Sequence, residues 1–150
     1  HAFLPLPNRR EFQREVNYII DHIHSLQPAP AILMVHVVNA ARFRRDYGRR
    51  AADALLCHVV KQLSSAVHPT DAVGSIGDDE FGVILLIGGA EPASRRADEI
   101  SRYLNSHSFP WLGTEYALDV VVGWAELHAS CNAEWAIEAA DRSLRDNFRR

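Results

Sequence analysis

"AVGSIGDDEFGVILLI" (residues 72–87) places two apolar runs on either side of Gly-Asp-Asp-Glu, the pattern of a β-hairpin whose tip carries three successive carboxylates, Asp78, Asp79 and Glu80. Two readings of that tip compete. Asp-Asp suits a tight turn because short polar side chains tolerate left-handed backbone, and exposed carboxylates keep a hairpin soluble. Alternatively, so much negative charge on one turn serves a purpose beyond solubility.

Outward from the hairpin, "AILMVHVV" (31–38) is almost wholly apolar and bounded by proline and polar residues, as a buried central strand would be. Phe12, Val16, Ile19, Ile20 and Ile23 recur at helical spacing over residues 9–26, with Asn8 as N-cap and "QPAP" (27–30) as the stop. A second helix is expected over about 49–67, with Ala52, Leu55, Leu56, Val59, Val60 and Leu63 on one stripe. Residues 91–107 read as a polar-faced helix, 116–127 as a strand and 132–148 as a closing helix. The order α, β, α, β, β, α, β, α combines helical crossovers with a hairpin, so the expected fold is an α/β (α+β) sandwich, a central mixed sheet wrapped by helices. No repeat, low-complexity tract or linker divides the chain, and residues 1–150 are expected to form a single domain.

A composition 47% apolar and 23% charged suits a chain that buries a real core, while a net charge of -3 and a pI near 6.2 offer no field to attract nucleic acid. Cys57 and Cys131 have neither the number nor the spacing of a disulfide framework or a zinc site, which points to a reducing cytoplasm. No apolar run approaches the roughly 20 residues that span a bilayer, so no membrane insertion is expected of this segment.

Four stretches together resemble the GGDEF domain of diguanylate cyclases, which condense two GTP into cyclic di-GMP. "LPNRREF" (6–12) is similar to that family's LPNRR opening, "DYGRRAADALL" (46–56) to its YGHxxGDxLL segment, "IGDDEFGVILL" (76–86) to its signature hairpin and "AADRSL" (139–144) to its RADxALYxAK helix. The resemblance implies a sheet wrapped by helices with the signature at the hairpin turn. It also implies a nucleotide pocket, and several positions of that pocket depart from the family. His36 stands where a metal-ligating aspartate ends the first strand, and imidazole is a poor ligand for Mg²⁺. Asp78 replaces the second signature glycine, so a side chain and a negative charge face the phosphates. Arg44 replaces the asparagine that reads guanine, and Phe148 the lysine that neutralises phosphate. Gly77, Asp79, Glu80 and Phe81 of the signature remain, as does Asp53, the partner of the guanine-reading residue. In the product-inhibition motif RxxD, "HPTD" keeps Asp71 but has His68 for the arginine, whose planar fork imidazole does not reproduce.

The expected function is therefore that of a catalytically inactive regulatory or interaction module of a bacterial cyclic di-GMP signalling protein. Protein partners or neighbouring sensor or phosphodiesterase domains would work with it, and a dimer is the family's working unit. Two alternatives stand beside it: a GTP sensor reading through Asp53 and Arg44, and a residual cyclase. No resident cofactor is expected; Mg²⁺ or Mn²⁺ would accompany GTP if the pocket functions. A softer cation on His36, Asp79 and Glu80 is a further metal reading, against which His36 serves equally as a core histidine. The arginines of "RFRRDYGRR" (42–50) suit a solvated, ion-paired loop, and Trp111, Trp124 and Trp135 suit core packing.

Overall fold

The computed structural model describes residues 5–26, 29–86 and 92–148, with the side chains of residues 147 and 148 left aside. Phe148 as a phosphate-facing side chain, and residues 27 and 28 of the helix stop, thus lie outside the described residues.

Helix α1 (Arg9–Asp21) starts where the caps demand. The Asn8 side chain accepts from the Glu11 amide at 2.9 Å, and the Glu11 carboxylate accepts from the Asn8 amide at 3.0 Å, a reciprocal box that satisfies two orphan donors. Phe12, Val16, Ile19 and Ile20 form its buried stripe. The helix gives way after Asp21 to one 3₁₀ turn, Ile23–Ser25, rather than running on to residue 26. Strand β1 (Ala31–Val37) is followed by α2 (Ala40–Tyr47) and α3 (Arg49–Ala66), then the hairpin β2 (Ala72–Gly77) and β3 (Glu80–Leu85). The chain continues through α4 (Ala93–Asn105), β4 (Phe109–Trp111), β5 (Thr114–Tyr116), β6 (Val120–Glu126) and α5 (Ala133–Phe148).

The main sheet has the order β2-β3-β1-β6, and each of its neighbouring pairs is antiparallel. The expectation of a mixed sheet is corrected on this point. Each helical crossover carries the chain past one strand, so β1 and β2 run the same way with β3 between them, and β3 and β6 with β1 between them. The unbroken apolar run of β1 follows from burial on both faces. Leu33, Val35 and Val37 pack toward α2, α3 and α4, whereas Ile32 and Met34 pack toward α1 and α5. Gly123 sets the second layer's distance: a Cβ there would meet the Ala140 carbonyl at 2.1 Å, so only glycine lets α5 lie this close to β6.

Two elements went unread in the sequence. Helix α2 occupies what looked like an arginine-rich loop, anchored by buried Ala40 and Phe43. The hairpin β4–β5 fills the start of the strand expected from residue 116, which begins at Val120 instead. Trp111 and Trp124 pack at the edge of the core as expected, but Trp135 is 44% exposed.

Candidate functional site

The signature hairpin is held in place by its backbone before any side chain acts. Gly77 pairs with Glu80, which leaves Asp78 and Asp79 as the turn, and the Asp79 carbonyl accepts from the Val37 amide at 2.9 Å. The tip is thereby fastened to the end of β1, the strand that carries His36 opposite Glu80. The left-handed reading of the turn is corrected: Leu112 is the one non-glycine with positive φ among the described residues, so Asp78 and Asp79 occupy ordinary backbone. Left-handed geometry does not account for the carboxylates.

Arg44, from α2, reaches into that tip. Its Nη2 donates to Asp79 Oδ1 at 2.7 Å, with Asp79 15% and Arg44 36% exposed. The hydrogen bond to Asp79 pushes the guanidinium pKa further up, as do the charges of Asp79, Asp78 and Asp53, against a smaller opposing effect of burial. Asp53 comes from α3, and Gly48 (φ +94°) makes the sharp corner that brings α3 beside α2. Of the residues named from sequence the structure pairs Arg44 with Asp79, while Asp78 and Asp53 act on the same guanidinium through their charges. Asp79 thus has the chain's own guanidinium as its partner.

Glu80, the next signature residue, faces the other way. It is half-buried, and its pKa is raised, first by burial and then by the charge of Asp141 of α5; His36 and Arg9 pull it down less strongly. Burial that favours the protonated form of a carboxyl weakens it as a donor to a hard cation. Among the described residues no three of His, Cys, Asp and Glu gather into a set that could hold a metal ion, so the softer cation on His36, Asp79 and Glu80 does not fit. Phe81 is fully buried in the core beneath the turn.

At the product-inhibition remnant, the His68 amide donates to Asp71 Oδ2 at 2.8 Å. Arg96 of α4, missed in the sequence, donates to the same oxygen at 3.1 Å and lies 3.2 Å from His68 Nδ1. The side chains of Arg96 and Asp71 are 4% and 0% exposed. Arg96 had a legible signal: it falls on the apolar stripe of Ala93, Ala97, Ile100 and Leu104, where a lone arginine demands a buried partner.

The family model described as "Diguanylate cyclase, GGDEF domain" matches residues 5–149. Diguanylate cyclase DgcS of Shewanella oneidensis is 26% identical over 144 residues, which are 95% of this chain and 47% of that protein. The curated relatives first met are longer, and the chain spans about half of that protein's length and 11% of the probable diguanylate cyclase DgcE of Escherichia coli. Among solved structures, a sensory box/GGDEF family protein from Caulobacter crescentus superposes with a TM-score of 0.88 at 24% identity, covering 99% of this chain and 97% of that one. Diguanylate cyclase SiaD from Pseudomonas aeruginosa, solved in complex with its activator SiaC, gives a TM-score of 0.86 at 18% identity over 96% of this chain and 55% of that one. A family match over nearly the whole chain, on a hairpin, crossover helices and closing helix in the family's order, means that this chain belongs to the GGDEF domain family of diguanylate cyclases.

Proposed function

We propose that this GGDEF domain is catalytically inactive and serves as a regulatory or interaction module in cyclic di-GMP signalling. The observation that carries the reading is the Arg44–Asp79 pair at 2.7 Å, an internal cation seated on the carboxylate a metal would need. Three further features support it. His36 stands at the strand end where hard oxygen is required, Asp78 puts a carboxylate into the turn where the family has glycine, and burial with the Asp141 charge raises the Glu80 pKa. The remnant of the inhibitory site is likewise taken up internally, since Arg96 pairs with Asp71 away from solvent.

In this reading the chain is one domain of a longer cytoplasmic signalling protein, acting through partners or neighbouring domains. Among the described residues no helix is long and apolar enough to cross a membrane. A family fold found with a protein activator supports the partner role.

The test is a product assay joined to calorimetry, with GTP and either Mg²⁺ or Mn²⁺. The purified domain is expected to form no cyclic di-GMP and to give no saturable heat. The triple variant His36→Asp, Arg44→Asn, Asp78→Gly is expected to gain saturable binding of GTP with Mg²⁺. Cyclic di-GMP produced by the unaltered domain would overturn the proposal, and saturable GTP binding without product would favour the sensor reading.

A further inference from the structure

Behind α2 lies a cavity of about 400 Å³ that the signature site does not use. A helix turns about 100° per residue, so Arg42 and Arg44 point in nearly opposite directions from α2. Arg44 meets Asp79, whereas Arg42 lines this cavity together with Phe43, Asp46 and Tyr47 of the same helix, Tyr116 of β5 and Asn39.

The three aromatic rings make a corner. Phe43 and Tyr116 meet edge to face with centroids 5.1 Å apart at 86°, Phe43 and Tyr47 lie 4.8 Å apart, and Tyr47 and Tyr116 lie 5.6 Å apart at 62°. The Tyr47 and Tyr116 rings therefore pack edge to face where helix α2 meets β5. Asn39 fixes the far wall by donating to the Ala117 carbonyl at 3.0 Å and accepting from the Asp119 amide at 3.4 Å. Walls set at steep angles offer ring faces to a flat guest.

The charges select the guest. Asp46 has a cation 3.5 Å away in Arg45, while no ion pair among the described residues involves Arg42. Asp46 and Arg42 thus both stand at the mouth, and the cation without an ion pair is the Arg42 guanidinium, whose planar fork matches a carboxylate. The volume falls within the range of small-molecule sites and is too small for a dinucleotide to be enclosed. We infer that this cavity binds a small planar aromatic carboxylate, its anionic group on Arg42 and its ring in the corner of Phe43, Tyr47 and Tyr116. The site stands apart from the signature pocket but shares helix α2 with it, so an occupant would press on the helix that carries Arg44.

The probe is naphthalene-2-carboxylate, titrated into the isotopically labelled domain and followed by amide chemical shifts. A second titration uses 2-naphthylmethylammonium, the same ring with the opposite charge. Saturable shifts centred on residues 39–47 and 116–117 are expected with the carboxylate, at least tenfold tighter than with the ammonium. Arg42→Gln should weaken the carboxylate at least tenfold and leave the ammonium unchanged, while Tyr47→Ala should weaken both. Arg42 and Tyr47 are exposed, so neither change threatens folding, and the shift map of the unaltered domain locates the site independently of them. Absence of saturation, shifts centred elsewhere, or equal affinity of the two probes would overturn the assignment.

Discussion

Arg44 holds Asp79 with a bond of modest worth. With the guanidinium 36% exposed, solvent screens the pair, and exposed ion pairs contribute roughly 0–1 kcal/mol. The pair blocks Asp79 by position rather than by strength, and Arg44→Asn alone is not expected to restore catalysis, because His36 and Asp78 must change with it. Glu80 makes a sharper prediction. Its folded pKa is raised above the ordinary 4.5, with burial the first cause and Asp141 the second, so folding favours its protonated form. That contribution is complete below pH about 4.5 and is lost as pH rises through the higher folded value. His58 acts in the opposite sense, its pKa lowered by burial, and its contribution is lost as pH falls through that depressed value. Glu80→Gln removes only the first effect. Urea midpoints of the unaltered domain and Glu80→Gln, measured from pH 4.5 to 7.5, should therefore diverge, with the unaltered domain losing ground as pH rises. Parallel curves would show that Glu80 ionises as freely folded as unfolded.

Among the elements, the β4–β5 hairpin shows what its residues can and cannot announce. Its strands are three residues each, one holds Pro110, and Leu112-Gly113 makes the turn with φ of 47° and 83°. Positive φ at both central positions calls for Asn-Gly or Gly-Gly, and a leucine there hides the signal because it pays a left-handed penalty of roughly 1 kcal/mol. Leu112 is 87% exposed, so burial returns nothing. Leu112→Asn is accordingly expected to stabilise the domain by about 1 kcal/mol, raising Tm by roughly 2–4 °C in a chain of this size. Calorimetric melting checks it, and an unchanged or lower Tm would mean the leucine is held by contacts in the folded state. Helix α2 was obscured differently. Only Ala40 and Phe43 are buried, while its arginines dominate the composition, so its apolar period is one turn long. The strands β1, β2 and β3, and the helices α1, α3 and α5, were legible because their apolar periods and caps extend over several turns or pleats.

For the whole molecule, the site was legible as chemistry but not as pairing. Asp79, Asp53 and Arg44 could be named along the chain, yet their meeting depends on β1, α2 and the hairpin arriving at one end of the sheet. Likewise Asp71 was visible and its true partner was not, because Arg96 lies 25 residues away across the hairpin. That pair joins α4 to the entrance of β2, and with exposures of 4% and 0% it is shielded from the solvent that weakens Arg44–Asp79. Asp71 Oδ1 is buried without a hydrogen bond, so the carboxylate depends on Arg96 and the His68 amide for its whole compensation. Removing the cation leaves a buried charge, a change that typically costs about 3–5 kcal/mol, whereas removing both charges restores most of the loss. Arg96→Met is therefore expected to lower unfolding free energy by about that amount, and the double variant Arg96→Met, Asp71→Asn to recover most of it, because the amide oxygen still accepts from His68. Chemical denaturation of the two single variants and the double variant closes the cycle. Additive losses would mean that the two side chains stabilise the fold separately and that the inhibitory remnant is not closed by their pairing.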